Sequence, residues 1–181
     1  KISIESSVRL GRAVGLLIHA GSSKYRRLVR RNLRIVTAND PLLPEELDRL
    51  VAETFRRGAA NFLGTLRTEF SSTTELVERI NTKGLGILEP DGDDTPGIVV
   101  TMAHMGNWEA LTRLGSTYSP ERRYGGVYRP LENPLMDALT RERRTSGGAR
   151  LFSRRDGFHP PASLLREGGV LVVLADQRAG A

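Results

Sequence analysis

The chain has no cysteine and only three histidines, His19, His104 and His159, far apart in sequence. Disulfides and thiolate metal sites are excluded, and nothing suggests a small secreted domain held by crosslinks. No segment reaches the roughly 18 consecutive apolar residues of a membrane-spanning helix. Arg9 and Arg12 interrupt any apolar stretch near the start, so no cleavable leader is recognisable there. Tyr25 is the only aromatic residue in the first 36 positions, too little for the stacking platforms that hold nucleic acid. Repeats and low-complexity segments are lacking as well.

What is present is 181 residues with a net charge of +6, unevenly placed. At this length a soluble domain buries roughly 70% of its unfolded surface, so one sizeable core plus an appendage is expected. Nine basic residues lie in the first 36 positions (Lys1, Arg9, Arg12, Lys24, Arg26, Arg27, Arg30, Arg31 and Arg34), opposed by Glu5 alone. Such a block attracts phosphate, or it is a solvated helix face. The apolar patch Val14-Gly15-Leu16-Leu17-Ile18 inside it favours an amphipathic helix at an anionic membrane surface over a nucleic-acid site. A peripheral protein on a cytoplasmic membrane face is the expectation, unless a spanning segment precedes Lys1. The opening on Lys1 and the stop at Ala181 read as a piece of a longer chain.

Apolar residues at three- and four-residue spacing predict helices over the first 80 positions. Pro44-Glu45-Glu46-Leu47 marks a helix start, with proline in the first turn and carboxylates near the positive end of the dipole. A shorter helix is expected over Thr74 to Ile80. After the turn-rich stretch from Glu89 to Gly97, short apolar runs alternate with helical segments. The expected fold class is α/β: a mainly parallel sheet flanked by helices, preceded by an N-terminal helical region. Strands are predicted over Gly97 to Met102, Tyr124 to Tyr128, Ala149 to Phe152 and Gly169 to Leu174, the last the most apolar and therefore central. Intervening helices are predicted over Asn107 to Leu114, Pro134 to Arg144 and Pro161 to Arg166. The division expected is 1–82 for the helical, basic, membrane-associating region and 83–181 for the α/β core, truncated at its C-terminus. The acidic cluster Asp91, Asp93 and Asp94 lacks the spacing and closing glutamate of a calcium loop, and no metal site is expected.

Ligands of such sheets bind outside the carboxyl ends of the strands. The residues just beyond the four ends are Ala103-His104, Arg129-Pro130, Ser153-Arg154-Arg155 and Ala175-Asp176-Gln177-Arg178. Together they supply a base, cations and a carboxylate. His104 is followed by Gly106, which permits a tight turn, and by Glu109 five positions on. On a continuous helix such positions differ by about 140° and do not face each other, so the pair requires a turn at Met105-Gly106. Glu109 would then orient one ring nitrogen and leave the other to accept a proton. Spacing alone leaves open a catalytic base, a structural histidine and an incomplete metal site. With no Gly-x-Ser-x-Gly elbow and no cysteine, a covalent enzyme intermediate lacks its nucleophile. Direct transfer fits better, with His104 deprotonating a substrate hydroxyl.

The segments Thr101 to Glu109, Tyr128 to Pro134, and Leu165 to Gly169 running into Ala175-Asp176-Gln177-Arg178 resemble the bacterial lipid A biosynthesis (lauroyl/myristoyl) acyltransferases. These lie within the wider glycerolipid acyltransferase group marked by His-x4-Asp/Glu. Tyr25 to Leu33 is similar to that family's N-terminal helical region. The resemblance implies transfer of a fatty acyl chain from an acyl-carrier-protein or acyl-CoA thioester to a hydroxyl of a membrane glycolipid, at the bacterial inner membrane and without metal or other cofactor. It implies His104 and Glu109 as the catalytic pair. Arg129 and Asn133 belong to a block linked to acceptor binding, often through phosphate, although Arg129 pairing with Glu132 is the plain alternative. Asp176, Gln177 and Arg178 correspond to a later block that shapes the site. Asn107 either caps a helix or donates to substrate, Trp108 packs, and Arg154 with Arg155 contacts the donor or lies on a solvated face. The family continues beyond the Asp-Gln segment, whereas this sequence stops at Ala181. Three alternatives remain: an acyl-CoA enzyme acting on a phosphoglycolipid or glycerophosphate, a thioester or ester hydrolase using the same His104–Glu109 pair, and a non-catalytic membrane-binding module driven by the basic N-terminal helices.

Overall fold

The computed structural model describes residues 2–90, 92, 95–153 and 155–176. It divides into two compact units, Lys1–Phe70 and Ser71–Ala181.

The first unit is three helices: α1 (Ile4–Gly21), α2 (Ser23–Val36) and α3 (Pro44–Thr68). Ser3 caps α1, its side chain accepting from the Ser6 N–H, and Pro44 opens α3 with Glu45 and Glu46 in the first turn, as the sequence predicts. The Glu46 carboxylate also accepts from the Leu43 N–H at 3.0 Å. Glycines make the close approach of α1 to α3. A Cβ on Gly11 would lie 2.5 Å from the Ala60 Cα, and one on Gly15 would collide with the Phe55 carbonyl. Beside this seam Arg12 forks onto Glu53 with two contacts of 3.1 Å.

The second unit holds a four-stranded, all-parallel sheet of β1 (Ile98–Met102), β2 (Tyr124–Tyr128), β3 (Arg150–Ser153) and β4 (Val170–Leu174), ordered β1-β4-β2-β3. The most apolar strand, Val-Leu-Val-Val-Leu, is β4, and it sits between β1 and β2 as its composition predicts. The helices α4 (Thr73–Arg79), α5 (Trp108–Thr112), α6 (Gly115–Tyr118), α7 (Pro134–Thr145) and α8 (His159–Arg166) surround it. The turn at α4 belongs with this core: its Leu76 is 2% exposed and packs on Ala110 and Leu114 of the α5 region. On one face of the sheet Leu164 of α8 packs against Phe152 and Leu171. At the amino edge the buried Arg122 guanidinium donates to the carbonyls of Pro96 (2.9 Å), Gly168 (2.7 Å) and Glu89 (3.2 Å), tying together the segments that lead into β1 and β4.

Candidate functional site

The parallel pairing of β1 with β4 places Met102 opposite Leu174, and the Ala175 N–H extends the ladder by donating to the Met102 carbonyl at 3.0 Å. Two residues past each strand end, His104 and Asp176 therefore meet. The His104 Nδ1 lies 2.6 Å from Asp176 Oδ1, and the His104 backbone N–H donates to Oδ2 at 2.8 Å. Both side chains stay accessible, 31% and 37% exposed. A carboxylate at Nδ1 assigns the proton to that nitrogen, so Nε2 presents its lone pair. Accepting the ring hydrogen bond first, and the backbone N–H second, holds the Asp176 carboxyl below its ordinary value.

This corrects the pairing expected from the His-x4-Glu spacing. Gly106 does turn the chain, with φ of 60°, and α5 opens at Trp108. Glu109, however, is taken by Arg144: Nε donates to Oε2 at 2.9 Å and Nη2 to Oε1 at 2.5 Å. The Arg144 guanidinium lies 5.1 Å from the Trp108 ring centroid, and His104 approaches the same indole edge-to-face at 5.5 Å. Glu109 thus braces a wall of the site, and the group on the imidazole is Asp176. Sequence spacing misses that partner because the two residues are 72 positions apart and become neighbours through strand order.

Of the other expected residues, Asn107 caps α5 by accepting from the Ala110 N–H at 3.3 Å. Asn133 caps α7, accepting from Leu135 (3.0 Å) and Met136 (3.2 Å). Arg129 follows β2 and is exposed. With β4 between them, the carboxyl ends of β1 and β2 are roughly 10 Å apart at ordinary strand spacing. Arg155 is exposed, its backbone N–H donating to Ser153 Oγ at 3.2 Å. Arg154, Gln177, Arg178 and the acidic cluster Asp91, Asp93 and Asp94 lie outside the described residues.

An apolar cavity of about 210 Å³ runs along the sheet face opposite α8, a feature that no sequence motif announced. Met102, Trp108 and Leu174 line it at the carboxyl edge, Tyr124 and Val170 at the amino edge. Alternate residues of β1, β2 and β4 point into it, following the period of two along each strand. At the amino edge, burial pushes the Tyr124 phenol above its usual value. Trp108 is shared between this cavity and the His104 contact.

The arrangement is a histidine held by a carboxylate and in edge-to-face contact with Trp108, which also lines the apolar cavity. A comparison with curated proteins finds no match. The sequence profile of the bacterial lipid A biosynthesis acyltransferases matches residues 2–181. The chain belongs to the bacterial lipid A biosynthesis acyltransferase family and is an acyltransferase.

Proposed function

We propose that the protein transfers a fatty acyl chain from an acyl-carrier-protein or acyl-CoA thioester to a hydroxyl of a membrane glycolipid of the lipid A precursor type. His104 Nε2 removes the proton as the hydroxyl oxygen attacks the thioester carbonyl. The carbon–sulfur bond then breaks, and the imidazolium returns the proton to the leaving thiolate. Asp176 holds the Nδ1–H and stabilises the imidazolium while the proton is on the ring. The acyl chain lies in the apolar cavity, and Arg129 grips an acceptor phosphate with its planar fork. Glu109 acts at one remove, by fixing Arg144 and Trp108 beside the base. The reaction draws on the two substrates alone. The basic helices of the N-terminal unit rest on the anionic cytoplasmic face of the inner membrane, and no helix among the described residues is long and apolar enough to cross it.

The observation that carries this reading is the 2.6 Å His104–Asp176 contact beside the cavity. The test offers lauroyl thioesters of carrier protein and of coenzyme A to the purified protein with lipid A precursor in mixed micelles, and identifies products by mass. Acylated precursor is expected, formed about 10²- to 10⁴-fold more slowly by His104→Ala. Free fatty acid without acylated precursor would make the protein a hydrolase and end the proposal.

A further inference from the structure

Two adjacent glycines, Gly125 and Gly126, occupy the middle of β2, an interior strand paired on both sides. Glycine weakens a strand, having no side chain to pack and the most conformational freedom to lose. Each therefore calls for a physical reason. Gly125 has one: a Cβ there would lie 2.5 Å from Phe152 Cε2 and 2.7 Å from Leu164 Cδ2, on the face covered by α8. Gly126 has no such reason. It points to the opposite face, its φ is not positive, and the nearest atom to an added Cβ is the Val172 carbonyl oxygen at an ordinary 3.7 Å. Neither packing nor backbone conformation excludes a side chain at this position. The space in front of it is the apolar cavity, which Gly126 lines.

The cavity spans the strand from Tyr128 at the carboxyl edge, near the base, to Tyr124 at the amino edge. Five strand residues cover roughly 13 Å, and Gly126 sits about 7 Å from either end. A side chain there would close the inner half of the cavity and leave the half next to His104 open. We infer that Gly126 is the specificity-determining residue for acyl length: its missing side chain admits the distal half of the chain, and the wall at Tyr124 and Val170 stops it. An extended lauroyl tail spans about this depth. The inference rests on the proposed acyl transfer and adds which residue measures the donor.

The test compares octanoyl, lauroyl and palmitoyl carrier-protein donors across the parent, Gly126→Ala, Gly126→Val and Val172→Ala. Val172 pairs with Gly126 in register and lines the same cavity, so its truncation enlarges the space at the same level. The ratio of kcat/KM for octanoyl over lauroyl should rise in the order parent, Gly126→Ala, Gly126→Val, by about 10-fold or more in the last, the effect of a misfitting methylene in an apolar pocket. Val172→Ala should move the preference the other way, toward palmitoyl. Circular dichroism and thermal unfolding report whether each variant is folded. If Gly126→Val does not fold, the Gly126→Ala and Val172→Ala pair still reads the two opposite shifts. Folded variants that lose all three donors by one common factor, or keep the parent's profile, overturn the inference while leaving acyl transfer intact. No transfer by the parent with any donor overturns the transfer reading, and the inference with it.

Discussion

At the scale of single residues, the decisive contact joins side chains that no local motif relates. Asp176 accepts two hydrogen bonds from His104, and this fixes the sign of its acid dependence. Its carboxyl lies below the ordinary 3.8, so the stabilisation is fully present above that value and is lost as pH falls through the lowered one. Around neutral pH the carboxylate is charged and the imidazole is held. Asp176→Asn keeps the shape and removes the charge, and kcat at pH 7 should fall by up to roughly 10⁴-fold, the effect of an Asp-to-Asn change that leaves a histidine base in the wrong tautomer. KM for either substrate should stay within about twofold, because the binding surfaces are untouched. Steady-state kinetics of Asp176→Asn beside Glu109→Gln would check this. A full-rate Asp176→Asn, with Glu109→Gln inactive, would return the orienting role to Glu109. His104 itself was legible in the sequence from its place just past an apolar strand. Its partner was not, although Asp176 also lies just past an apolar strand. Joining the two required knowing that β4 lies against β1 and in which register.

At the scale of elements, the strands were legible because their apolar runs are short and bounded by glycine, proline and acidic turns. Helix α3 was legible from Pro44 and its first-turn carboxylates. The four-residue α6 was not, since so short an element carries no period to read. The placement of α4 was hidden too, because Leu76 finds Ala110 and Leu114 only after the chain has folded back. The seam between α1 and α3 depends on Gly11 and Gly15, whose spacing of four puts both on one helix face. A branched side chain at Gly15 would have to displace the α3 backbone at Phe55 and Arg56 rather than a flexible side chain. Gly15→Val should therefore destabilise the N-terminal unit by about 1–3 kcal/mol, the usual cost of overpacking. Equilibrium urea denaturation of the whole protein, followed by helical circular dichroism, would measure this. Gly21→Ala is the comparison, because an added Cβ there meets nothing within 4 Å. Equal midpoints for the two variants would show that the seam tolerates a side chain.

At the scale of the whole molecule, charge is separated along the sequence: nine basic residues against one acidic in the first 36, and a slight acidic excess in the rest. The structure sorts that basic block by availability. Arg12 is spent on Glu53, Arg30 on Asp48, and Arg26 on the carbonyls of His19 and Ala20 that end α1. Arg27, Arg31 and Arg34 are exposed, have no acidic partner among the described residues, and recur at helical spacing along α2. With the exposed Arg9 and Lys24, these three are among the cations free to meet lipid phosphate, each contributing roughly 1 kcal/mol near an anionic surface. Such attraction is screened over about 10 Å at 0.1 M salt. Sedimentation with phosphatidylglycerol-containing vesicles should show binding that falls steeply as salt is raised, and little binding to neutral phosphatidylcholine vesicles. Reversing the three arginines to glutamate should sharply weaken the salt-sensitive part, whereas the same change at Arg12 would also break a helix-to-helix contact and report on folding instead. Binding that ignores both salt and charge reversal would transfer the membrane role to the exposed apolar side chains of α1, Leu10, Leu16, Leu17 and Ile18, acting by insertion rather than by charge.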